Sequence, residues 1–210
     1  MLVVFGSINI DLVFRVPRLP RDGETILGET YVAVPGGKGA NQAVAAARDG
    51  VRVAMAGRVG DDGFGAQARD SLVGAGVDIS RVVTGSVPTG CAAIAVDPAG
   101  ANQIMVAAGA NARATADQVE DALLAPETTL LLQMEVPARE NAALIARAKQ
   151  RGARIVLNLA PAAALSEAAI GSTDVVVVNE GEAAWLARSR QLSIGKPSDV
   201  ALALSRSLNA

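Results

Sequence analysis

Histidine is absent from the 210 residues, and there is a single cysteine, Cys91. Without histidine there is no Ser-His-Asp triad, no Cys-His dyad and no ordinary zinc site, so acid–base chemistry falls to Asp, Glu, Lys or Tyr. One cysteine makes no intrachain disulfide and no cysteine metal cluster, which suits a reducing cytoplasm. Aromatic residues are 2% of the chain, too few for a base-stacking platform. Nineteen basic residues against 21 acidic ones leave a formal charge of -2, which gives nucleic acid no electrostatic footing. No apolar run approaches the roughly 18 residues of a membrane span. "LVVFGS" follows Met1 with no basic n-region, so no signal peptide is expected and a cytoplasmic setting is.

Half of the chain is hydrophobic, enough for one large core. The apolar runs are short and regularly spaced. Residues 2–6, 51–57, 129–135, 153–160 and 174–180 read as strands buried on both faces, because their hydrophobicity is continuous rather than alternating. Between them, 39–49, 64–75, 115–124, 138–151 and 181–188 read as helices, with Thr115 and Gln118 spaced as a capping box and Gly50, Gly76 and Gly152 as terminators. A further amphipathic helix is expected at about 198–208. Strand–helix alternation with short links predicts a doubly wound, mostly parallel α/β sheet. Residues 10–34 and 86–107 break the rhythm: each reads as strand–turn–strand with Pro and Gly turns and no helix. These two segments are expected to form a small β-sheet lid on a core of 1–9, 35–85 and 108–210.

"VPGGKGANQAV" (34–44) sets three glycines around a lysine and then runs into good helix formers. A Walker A loop needs Gly at position 32 and Ser or Thr at 39; Val32 and Gly39 stand there. A dinucleotide fingerprint needs G-x-G-x-x-G after the first strand, where the chain reads "GSINID". What remains is a ligand loop in which glycines admit a polar ligand and Asn41 lies in the first helical turn, or else an ordinary turn with a solvated lysine. Asn9 and Asp11, two apart on an extended segment, point to the same side. They follow the first strand, whose carboxyl end borders the ligand crevice of a doubly wound sheet. An anionic acceptor and amides together suit a hydroxyl-rich ligand, since each buried hydroxyl needs a partner. A turn or cap role for Asp11 is the plain alternative.

These segments resemble the PfkB family, the ribokinase-like carbohydrate kinases. The resemblance rests on "GSINID", "GGKGANQAVAAAR", "GRVGDDGFG", "PTG", "AGANA", "LLLQMEVP", "LNLAPA" and "VVNEGEA", and spans residues 2 to about 188. It implies that Gly37, Lys38 and Asn41 help hold a pentose, with Asn9, Asp11 and Glu135 around it, and that the glycine pair is the hinge of the lid. It implies ATP-dependent phosphorylation of D-ribose to ribose 5-phosphate, a homodimer joined through the β-lid, and a K⁺ requirement. Asn179 and Glu182 resemble the family's N-x-x-E element, Asn179 towards the nucleotide phosphates and Glu182 towards Mg²⁺. Acidic residues in a first helical turn explain the same letters without a ligand. The family's catalytic aspartate sits in a later GAGD-type segment, and no such segment occurs in these 210 residues. "GAGVD" (74–78) comes at a helix end and is not its equivalent. Two other readings stay open: a PfkB kinase for a nucleoside, fructose or a sugar acid, and a non-catalytic sugar-binding remnant.

Overall fold

The computed structural model describes residues 1–193 and 195–208. In chain order the strands and α-helices are β1 (Leu2–Phe5), β2 (Asn9–Arg15), β3 (Thr30–Gly36), α1 (Lys38–Arg48), β4 (Val53–Gly60), α2 (Gly63–Gly74), β5 (Asp78–Gly85), β6 (Gly90–Val96), β7 (Asn102–Ala107), β8 (Thr129–Gln133), α3 (Ala138–Arg151), β9 (Arg154–Asn158), α4 (Glu167–Ile170), β10 (Val175–Val177), α5 (Glu180–Ser189) and α6 (Pro197–Leu208). Six strands form one parallel sheet in the order β10-β9-β8-β1-β4-β5. The chain builds outwards from β1 to β5 on one side, then returns to β8 and builds to β10 on the other. The switch point therefore lies beside β1, where a doubly wound sheet opens its ligand crevice.

Successive side chains along β1 explain why its sequence is apolar without a break. Val3 and Phe5 join Leu130, Leu132, Ile155 and Leu157 in a core sealed by Leu144 and Ile145 of α3. Val4 faces the other way, into a core with Met55, Ala43 of α1 and Leu72 of α2. The second sheet has the order β3-β2-β6-β7, with β2 and β6 parallel and the two outer pairs antiparallel. It carries the two strand–turn–strand segments that interrupt the sequence pattern.

Several details depart from the sequence reading. Residues 115–124 do not form an α-helix; they make two short 3₁₀ turns, Ala116–Gln118 and Asp121–Leu123. The reason is competition for carbonyls. Arg147 of α3 donates to the carbonyls of Ala116 (2.9 Å) and Val119 (2.6 Å), and the Gln118 amide reaches away to those of Gly57 (2.6 Å) and Arg81 (3.0 Å). The Gln118 side chain still accepts from the Thr115 N–H at 2.9 Å, as the capping-box spacing predicts. β5 and the short α4 were not expected. β5 is an edge strand whose apolar positions are broken by Asp78, Ser80 and Arg81, so it lacks the continuous run that marks an inner strand. β10, expected to be buried on both faces, is only partly covered, because no strand lies beyond it among the described residues. Gly50, Gly76 and Gly152 follow their helices with φ of 88°, 82° and 81°, as expected. No helix among the described residues is long and apolar enough to cross a membrane.

Asp62 fastens the second sheet to the first. It caps α2 by accepting from Gly65 N–H (2.7 Å), and it also accepts from the backbone N–H (2.8 Å) and hydroxyl (2.7 Å) of buried Thr89, next to the start of β6. Burial alone would raise its pKa, but these hydrogen bonds outweigh it and hold the carboxyl below the usual aspartate value. A lowered folded-state pKa means stability that is complete above the ordinary aspartate range and fades as pH falls through it. Asp62→Ala should therefore lower the unfolding free energy at neutral pH by about 1–3 kcal/mol. Urea melts at neutral and acid pH check this: the gap to the parent chain should narrow in acid.

Candidate functional site

The exit of β1 turns at Gly6 and Ser7 and re-enters as β2 at Asn9. The N-terminus of α1 is pressed onto that turn. Gly37 takes φ 88°, and a Cβ on it would lie 2.9 Å from Asn9 N and Ser7 O. A Cβ on Gly39 would lie 2.7 Å from Ser7 N. The glycines thus serve a close backbone-to-backbone approach. The first N–H groups of α1 are taken by protein acceptors rather than left open for a ligand. Lys38 N–H donates to Glu135 Oε2 (3.0 Å), Gly39 N–H to Ser7 Oγ (3.3 Å) and Ala40 N–H to Ser7 O (2.9 Å).

Glu135 follows β8 and gathers the site. Its Oε2 also accepts from the Ser7 hydroxyl at 2.6 Å, while Oε1 lies 3.6 Å from Lys38 Nζ. Buried Asn141 of α3 fixes the strand end by donating to Gln133 O at 2.7 Å. Asn9 and Glu135 line one cleft of ≈ 360 Å³ together with Asn111, Val106 and Met134. Asp11 stands one strand-repeat beyond Asn9, its carboxylate over Gly36, where a Cβ would come within 2.3 Å of it. Burial first, then the negative charge of Glu135, raises its pKa; Lys38 pulls the other way.

The structure thus groups Asn9, Asp11, Gly37, Lys38 and Glu135. Asn41 is exposed on the first turn of α1 and lines a separate hollow of ≈ 300 Å³ between α1 and α2, with Pro35 and Gly36. Asn179 and Glu182 lie apart, on α5. They form a reciprocal capping box: Asn179 N–H donates to Glu182 Oε2 and Glu182 N–H to Asn179 Oδ1, both at 2.8 Å. Helix capping therefore accounts for the spacing of these two residues, and Glu182 Oε1 is left without a protein donor among the described residues. No group of three or more His, Cys, Asp or Glu side chains that could hold a metal occurs among the described residues. Sequence reading missed Ser7, Asn111 and Asn141. Only "AGANA" held a signal, an amide set between small residues.

Residues 1–209 match the family described as pfkB family carbohydrate kinase. The chain is 41% identical over 187 residues to a ribokinase of Haemophilus influenzae and 39% identical over 189 residues to one of Bacillus subtilis. These matches cover 87% and 88% of this chain but 60% and 64% of the relatives, so it spans a little over six tenths of their length. Among solved structures, a ribokinase of Thermotoga maritima superposes with TM-score 0.88 at 28% identity, over 99% of this chain and 68% of that one. A ribokinase of Arabidopsis thaliana, complexed with ribose and ATP, gives 0.84 at 30% identity, over 98% and 67%.

The raised pKa of Asp11 has a testable consequence. A hydroxylic ligand that needs the carboxylate as acceptor should lose affinity on acidification at a higher pH than an ordinary aspartate would set. Asp11→Asn should abolish that acid limb. The folded-state pKa lies above the unfolded one, so Asp11 weakens folding as pH rises through it. Asp11→Asn should therefore melt at or above the parent temperature at neutral pH. Ligand titrations across pH, with thermal melts of both forms, check both signs.

Proposed function

The chain belongs to the pfkB family of carbohydrate kinases, and on that premise we propose that it serves ATP-dependent phosphorylation of D-ribose to ribose 5-phosphate. The observation that carries this reading is the ring of Asn9, Asp11, Lys38 and Glu135 around the switch-point crevice. Sugar hydroxyls both donate and accept, and the ring offers both roles. Glu135 Oε1 and the Asp11 carboxylate accept, while the Lys38 ammonium and an Asn9 amide donate. Ribose and ATP occupy the Arabidopsis thaliana relative, which supports both substrates here. Asn41 would join the sugar side by a rotation of its exposed side chain.

The nucleotide side rests on α5. Mg²⁺ takes few carboxylates and fills its shell from waters and phosphates. The free Oε1 of Glu182 fits an ion held that way, with Asn179 towards the phosphates; when bound, the ion neutralises phosphoryl charge. No residue here is assigned to K⁺, and none of the 210 residues is assigned the aspartate that takes the hydroxyl proton. Asp11 and Glu135 are binding groups, placed to orient the sugar. The second sheet acts as a lid that excludes water from the transfer, and the enzyme works in the cytoplasm.

A homodimer through that sheet is part of the reading. Asp11 shares its sheet face with Val32, Val34, Ile104 and Val106, which are all exposed. β3 and β7 are the sheet's two edges, and an uncovered apolar sheet with free edges favours association. A second copy of this face covers the patch and closes over the sugar.

Two experiments test the proposal. Calorimetric titration of ribose into the chain should give saturable binding, with fructose and adenosine weaker. Asp11→Ala should weaken ribose by about ten-fold or more, from about 1–3 kcal/mol of lost hydrogen bonding. Adenosine binding more tightly than ribose would favour a nucleoside kinase. For the dimer, light scattering should give twice the chain mass, and Ile104→Glu should return it to the monomer. A parent chain that is monomeric at high concentration removes the lid-to-lid contact from the reading.

A further inference from the structure

Asn111 is 1% exposed and every polar atom of its side chain is used. Its Oδ1 accepts from Ile8 N–H at 2.9 Å; its Nδ2 donates to Ile8 O at 3.2 Å and to Asn9 Oδ1 at 2.7 Å. The first two bonds fix which end of the amide is which, because a flipped group would set donor against donor and acceptor against acceptor at Ile8. The third bond then carries that orientation to Asn9. An Asn9 oxygen engaged by Asn111 leaves the Asn9 Nδ2 as the free end of the amide, and it has no protein acceptor among the described residues. Asn9 lines the cleft with Glu135.

We infer that Asn111 is a positioning residue that presents the Asn9 amide to the cleft as a hydrogen-bond donor, so that this point of the site selects a ligand atom with a lone pair. Gly90, the first residue of β6, adds an independent observation. A Cβ there would lie 2.3 Å from both Asn111 Nδ2 and Asn9 Oδ1. The chain leaves no room for a side chain to come between the two amides. Asn111 lies four residues after the last residue of β7 (Ala107), so the part that orients Asn9 belongs to the connection leaving the second sheet. The inference rests on the ribose reading only for the identity of the ligand.

The test is a double-mutant cycle with an NMR readout of the free chain. Asn111→Leu keeps the approximate shape of the side chain and removes its polar atoms. Ribose affinity should fall about ten-fold in the Asn9-containing chain, as for one lost hydrogen bond. It should fall no further when the same change is made in Asn9→Ala. A purely packing role would give the same loss in both backgrounds and would overturn the inference. In the ¹⁵N spectrum, the Asn9 carboxamide pair should move to the free-amide position in Asn111→Leu; an unmoved pair overturns it as well. Should Asn111→Leu fail to fold, Asn111→Asp serves. Its carboxylate still accepts from Ile8 N–H but has no N–H for Asn9 Oδ1 and draws the Asn9 Nδ2 to itself instead, so the Asn9 amide signals should shift and ribose affinity should fall; unmoved signals overturn the inference. If the parent chain ignores ribose, the ribose reading falls while the carboxamide signals still decide the role of Asn111.

Discussion

Glu135 is the point on which the crevice depends. One carboxylate oxygen holds the Ser7 hydroxyl and the Lys38 N–H, and so ties the exits of β1 and β8 to the start of α1. These residues are 128 and 97 positions away in sequence. A charge-assisted acceptor of this kind is shorter and stronger than a neutral one. It also satisfies one orphan donor of α1, the Lys38 N–H, at a terminus whose N-cap residue, Gly37, has no side chain to do so. The same carboxylate is a structural clamp and, through Oε1, a candidate ligand group. Its removal would disturb both at once, so a loss of binding in a Glu135 variant would not by itself separate the two roles. That is why Asp11 and Asn111 make cleaner probes.

The electrostatics follow from this clamp. Two carboxylates and one ammonium share the crevice. Glu135 is committed to the Ser7 hydroxyl and the Lys38 N–H. Asp11, half-buried and without a hydrogen-bond donor among the described residues, is the group that burial and the neighbouring charge push upward. A hydroxyl that donates to Asp11 replaces the water it has lost, and it does so at a carboxylate already held in place by the β2 ladder. Binding there draws on a cost already met during folding, which is the general advantage of a preorganised site.

The parallel sheet was legible because β1, β4, β8 and β9 are apolar on both faces, and that leaves an unbroken signature in the letters. β5 was not, since an edge strand alternates like a loop with charges in it. The 3₁₀ turns at 116–123 were misread because their fate is decided by Arg147, more than twenty residues away, which takes the carbonyls a helix would use. The glycine loop was legible as a turn into a helix, but its purpose was not. Sequence spacing cannot say whether a helix terminus faces a ligand or a protein carboxylate. Asn9 and Asp11 could be singled out from their places after the first strand, and Glu135 from the family resemblance of "LLLQMEVP". Asn111 could not, because its role depends on Ile8 lying opposite it across 103 residues.

The second sheet is pinned at its roots. Thr89 is bonded to Asp62, and its hydroxyl also accepts from Gly60 N–H at 2.9 Å. Gly90 lies against the Asn9–Asn111 bond, and Gly37 lies against the backbone of Ser7 and Asn9. A swing of the whole sheet about any of these points would break buried hydrogen bonds or drive backbone into backbone, at a cost of several kcal/mol in all. The outer halves of β3 and β7 carry no such restraint and are exposed along most of their length. If the second sheet closes over a sugar as proposed, the least costly movement is a bend of the outer strands above fixed roots. The amide of Asn9, held by Asn111 at those roots, would keep its aim through such a bend.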